Sequence, residues 1–78
     1  MSTYEFSGDG DDDDYFLVAE SGSVDHNGYG KFVDFIGRSF YCHYREADRY
    51  SNDLEAERAI REAEVRYGTA CDLISITH

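Results

Sequence analysis

Tyr15-Phe-Leu-Val-Ala19 is a short, unbroken apolar run closed by Glu20-Ser-Gly-Ser. Its β-favouring side chains and polar punctuation predict a strand. Asp25-His-Asn-Gly-Tyr-Gly30 follows, and its Asn-Gly pair is turn chemistry that can close a hairpin. The next twenty residues support two readings. Phe32, Phe35, Ile36, Phe40, His43 and Ala47 recur at spacings near three and four, which would line one face of a helix interrupted at Gly37. Alternatively, residues 31–36 and 39–44 form two strands joined at Gly37-Arg38. Aromatic and β-branched content and a Gly-first turn favour that second reading, which is preferred.

The last third has a clear period. Asn52 followed by Glu55 resembles a capping box, Asp53 and Glu55 suit the positive end of a helix, and Gly68 stands where a glycine ends one. Between them Ala56, Ala59, Ile60, Ala63 and Tyr67 recur at three and four, which predicts a helix over 53–67 whose small residues allow close approach to a sheet. Glu57 with Arg61 and Glu62 with Arg66 are i,i+4 pairs in the favourable orientation. Leu73, Ile74 and Ile76 then predict a closing strand within 69–77. These elements describe an α+β domain spanning 1–78, a small antiparallel β-sheet with one or two helices packed on one face.

Composition narrows the class. A chain of 78 residues forms one domain with a thin core. Seven Tyr and five Phe argue for a folded domain rather than a disordered tail. Whether Tyr29, Tyr41, Tyr44 and Tyr50 anchor an interface or fill the core stays open. No apolar run approaches the roughly 18 residues of a spanning helix, and the first residues lack the basic and apolar regions of a signal peptide. The expectation is a cytoplasmic protein with Cys42 and Cys71 as free thiols.

Charge changes the picture most. The formal net charge is −10, and residues 1–30 hold eight acids and no Lys or Arg. The run over 7–14 reads as an exposed, mobile acidic loop, because its five carboxylates cannot be desolvated together. Direct nucleic-acid binding is disfavoured by the deficit of Lys and Arg, and a basic partner is favoured. An acidic surface kept for solubility is the plain alternative.

Other chemistry is thinly represented. Asp9, Asp11 and Asp13, with Glu20 in the twelfth position, follow part of the calcium-loop spacing, although Asp14 stands where that loop needs glycine. A calcium-binding module over 9–20 is therefore an alternative reading. Cys42, His43, Cys71 and His78 are zinc-type ligands without zinc-type spacing. No signature joins Cys42 or Cys71 to His26 as nucleophile and base, and neither a P-loop nor a nucleophile elbow occurs. No enzyme activity, cofactor or metal is expected.

The 9–14 acidic run, the Tyr-rich middle and the Glu-rich helix around Glu55, Glu57, Glu62 and Glu64 together resemble the small, acidic, phage-encoded anti-CRISPR proteins that act on type I surveillance complexes, type I-C among them. The resemblance is of size, charge and style over the whole chain, with no shared motif. It implies a noncatalytic DNA mimic that binds the large, PAM-reading subunit of such a complex in the host bacterial cytoplasm and blocks target DNA. Carboxylates can occupy the Arg and Lys pockets that otherwise hold phosphates. On this reading the partner-binding residues are Asp9, Asp11, Asp12, Asp13, Asp14, Glu20 and Asp25, with Glu55 and Glu57 on a second face. An acidic adaptor for another basic host protein is a further alternative.

Overall fold

Among the described residues the chain forms five strands and one helix: β1 (Thr3–Ser7), β2 (Tyr15–Glu20), β3 (Tyr29–Val33), β4 (Ser39–His43), a 3-10 turn (Tyr44–Glu46), α1 (Asp53–Tyr67) and β5 (Cys71–Thr77). They are seen in a computed structural model, which describes residues 3–7 and 14–77. The 8–13 part of the expected acidic loop lies outside the described residues, as does His78.

The strands form one sheet in the order β1-β5-β2-β3-β4. Along β5-β2-β3-β4 each strand is antiparallel to its neighbour, as expected, and β1 adds to the β5 edge in parallel, with Tyr4 in register with Ile74 and Phe6 with Ile76. The β2 run is apolar throughout because the strand is covered on both faces. Val18, on one face, packs with the buried Ala56, Ala59, Ile60 and Ala63 of α1. Leu17 and Ala19, on the other, pack with Phe32, Ile74 and Ile76, under a cover of Val24, Tyr44 and Ala47. One face of the sheet thus carries the helix, and turns cover part of the other.

Residues 31–50 resolve in favour of strands, with different ends from those expected. β3 stops at Val33 because Asp34 takes over the backbone donors of the turn: its carboxylate accepts from the amides of Ile36 at 3.1 Å and Arg38 at 2.9 Å. Phe35 and Ile36 therefore sit exposed on a turn instead of extending the strand. At Gly37 φ is +86°, and a Cβ there would lie 2.8 Å from the backbone nitrogen of Ala63, so the turn packs directly against α1.

β2 and β3 are in register only at Ala19 and Phe32. Beyond that point Tyr50 takes the place of a strand residue. It exchanges both backbone hydrogen bonds with Phe16, at 2.8 and 2.9 Å, and its hydroxyl donates to the carbonyl of Val33 at 2.9 Å. Tyr50 is wholly buried.

The helix has the predicted bounds. The Asn52 side chain accepts from the Glu55 amide at 2.9 Å, while the Glu55 carboxylate reaches the hydroxyl and amide of Ser51. At the other end Gly68, with φ +65°, returns its amide to the carbonyls of Ala63 and Glu64. Two expectations need correction. Tyr67 does not join the apolar stripe; it is exposed in the last turn, beyond Ala63, the last buried helix residue. Of the two i,i+4 pairs, Glu62 and Arg66 close at 2.6 Å, whereas Glu57 and Arg61 do not pair.

Candidate functional site

The carboxylates singled out in the sequence do not form one face. Asp9, Asp11, Asp12 and Asp13 lie outside the described residues. Asp14 is exposed immediately before β2. Glu20, at the far end of that strand, is half-buried and accepts a short hydrogen bond from the Ser39 hydroxyl, which ties β2 to the start of β4. Asp25 is exposed but organises its own turn, accepting from the amides of Asn27 at 2.9 Å and Tyr29 at 3.1 Å. Glu55 braces the helix start, and Glu57 lies beside Leu54, Arg58 and Arg61 in a shallow groove. Glu20 and Asp25 thus have structural work that a freely presented phosphate substitute would not have.

The strand does not favour the calcium-loop reading, whose other ligands, Asp9, Asp11 and Asp13, lie outside the described residues. Residues 15–20 are extended and hydrogen-bonded into the sheet, so Glu20 stands six residues of strand away from Asp14, about 20 Å at the usual rise. A twelve-residue calcium loop must instead curl its last ligand back onto its first. The zinc-type residues are separated as well. Cys42 packs with the turn-covered face of the sheet and Cys71 with the helix-covered face. Among the described residues no three His, Cys, Asp or Glu side chains converge on a metal position.

Where carboxylates do gather, they surround the two thiols. Burial pushes the Cys71 thiol up to about 11, and the nearby carboxylates of Glu20, Asp72 and Glu64 add to the shift. Cys42 is also raised, first by burial and then by Glu46 and Asp48. A nucleophilic cysteine needs the opposite environment, a nearby positive charge that favours thiolate. Asp72, 2% exposed, accepts from the amide of Gly22 at 3.4 Å and so helps to hold the turn that follows β2.

Reasoning from sequence missed the carboxylates around Cys42. A cleft of about 230 Å³ lies between β3, β4 and the chain that follows them, lined by Phe32, Phe40, Cys42 and Ala47 together with Asp34, Glu46 and Asp48. Glu46 and Asp48 are neighbours in sequence, but Asp34 is twelve residues before Glu46 and joins them only when the hairpin and the 3-10 turn fold against each other. On the helix side of the same hairpin, Tyr29 stacks on Tyr41 with ring centres 5.9 Å apart, and His43 meets Tyr29 edge-on at 5.0 Å. Tyr29 and Tyr41 are exposed and Tyr50 is buried, so the tyrosine set divides between surface and core.

No helix among the described residues is long and apolar enough to cross a membrane. No protein-family model, curated protein or solved structure matches the chain.

Proposed function

We propose that this chain is a noncatalytic inhibitor that presents carboxylates to a Lys/Arg-rich, DNA-binding surface of a type I CRISPR effector complex and so excludes target DNA. The observation that carries the reading is the concentration of charge: eight acids and no Lys or Arg in the first thirty residues of a chain of net −10. A basic groove attracts such a molecule from a distance, and charge-assisted pairing with guanidinium groups lets carboxylates compete with phosphates. Because Glu20 ties β2 to β4 and Asp25 holds its own turn, the leading phosphate substitutes are Asp9 and Asp11 to Asp14. On the helix, Glu55 is held by Ser51 and Glu57 is locally offset by Arg58 and Arg61, so these two are secondary candidates.

The test is binding of a PAM-containing duplex by a purified type I surveillance complex as this protein is added. The expected result is loss of duplex binding, less pronounced as salt rises. Replacing Asp11 to Asp14 together by Asn should weaken inhibition by about tenfold or more, since each lost charge-assisted contact costs upwards of about 1 kcal/mol. Circular dichroism should be unchanged. Undiminished duplex binding would refute the reading, and full inhibition by the variant would shift it to the helix acids.

A further inference from the structure

We propose that the open edge of β4 docks an extended segment of a partner protein and seats one arginine of that segment in the cleft formed by Phe32, Phe40, Cys42, Glu46 and Asp48. β4 ends the sheet. Its pairing with β3 is fixed by the Asp34 amide bonding to the Arg38 carbonyl at 2.8 Å and the Tyr44 amide to the Gly28 carbonyl at 2.9 Å. In the antiparallel alternation this turns the backbone groups of Phe40 and Cys42 toward β3 and those of Ser39, Tyr41 and His43 outward. Among the described residues no strand meets that outward row, a ready template for strand addition.

The side chains around the edge are dressed for a partner. Phe40 is 51% exposed and Tyr41 67%. The cleft, at about 230 Å³, is below the usual 300–1,000 Å³ of small-molecule pockets and suits a single long side chain. Its apolar floor would cover an aliphatic stem, and Glu46, Asp48 and Asp34 would meet a cationic head. Arginine fits better than lysine, because a guanidinium can pair with carboxylate and stack on a ring at once. Phe40 already carries the Arg38 guanidinium 5.4 Å from its ring centre. A second copy of this chain fits poorly: antiparallel pairing of two β4 edges would bring Arg38 of one near Arg45 of the other, between molecules each of net −10.

This inference does not rest on competition with DNA, and its test contains no nucleic-acid-binding protein. The probe is a blocked seven-residue peptide of threonines with one central arginine, titrated into the isotopically labelled protein and followed through its backbone amide resonances. Saturable shifts confined to residues 32–34 and 39–48 are expected. Replacing the arginine by citrulline, or N-methylating alternate peptide amides, should abolish them. E46Q/D48N, whose changes are at exposed positions, should weaken binding about tenfold with the remaining spectrum unchanged. Equal binding of the citrulline peptide, or shifts scattered over the acidic surface, would overturn the proposal.

Discussion

Tyr50 does with one residue what a continued β3 would have done with several. Its backbone bonds to Phe16 close the gap left where β2 and β3 part, and its hydroxyl serves the Val33 carbonyl. Tyr50→Phe keeps the packing and removes that donor, leaving a buried carbonyl unpaired. The expected cost is about 1–3 kcal/mol, read as a lower midpoint in urea denaturation. The same residue shapes alkaline stability. Burial, followed by the fields of Asp48 and Asp34, raises the Tyr50 hydroxyl above its ordinary value of 10.0, as Cys71 is raised from 9.0 to about 11. Both groups remain protonated in the fold at pH values where the unfolded chain has released its protons. The stability they contribute is therefore complete below pH 9, falls between 9 and 11 as the Cys71 difference is lost, and falls further above pH 10 through Tyr50. Denaturation midpoints across pH 8 to 11 should show this decline, and Cys71→Ala should flatten its first part.

Among the elements, the contact between the β3–β4 turn and α1 is the most exacting. Gly37 combines a left-handed φ with close approach to the helix backbone, whereas Gly68 has a left-handed φ and open space around it. Gly68→Ala is expected to cost about 1–2 kcal/mol, the conformational penalty alone. Gly37→Ala carries that penalty and must also push the turn off Ala63, so its cost should exceed about 2 kcal/mol. Comparing the two midpoints checks this, with equal losses counting against a packed turn. The helix was legible because its signals are local: a capping side chain, a 3.6-residue period and a terminal glycine lie within seventeen residues. β1 was not read as a strand, although Thr3-Tyr-Glu-Phe-Ser7 alternates polar and aromatic residues, because five residues without a visible partner make a weak pattern. Its place beside β5 is set by the other end of the chain.

For the molecule as a whole, charge and sheet topology act in different ways. The charge is a sum and needs no fold to exist, so the expectation of a basic partner and of salt-sensitive binding follows from composition. Both edges of the sheet are strands distant in sequence, β1 and β4, and α1 packs mainly on β5 and β2, while Phe40 and Tyr41 on the β4 edge are exposed. The acids themselves divide into those that hold turns, such as Asp25, and those at the β4 cleft, such as Glu46 and Asp48, with Asp34 doing both. That division is invisible in one dimension, since an aspartate in a turn and an aspartate at a cleft are the same letter.

What this sequence determined by itself is what short-range physics decides: the α+β class, the capped helix over 53–67, the β2 run, the glycine turns and the concentration of negative charge in the first third. Only the tertiary structure decided that Tyr50 would stand in for a strand, that Glu20 would bond Ser39, and that Asp34, Glu46 and Asp48 would line one cleft. The reason is physical. Periodicity and capping act within a few turns of chain, whereas strand order and the convergence of side chains depend on which distant segments can bury apolar surface together while satisfying their backbone groups.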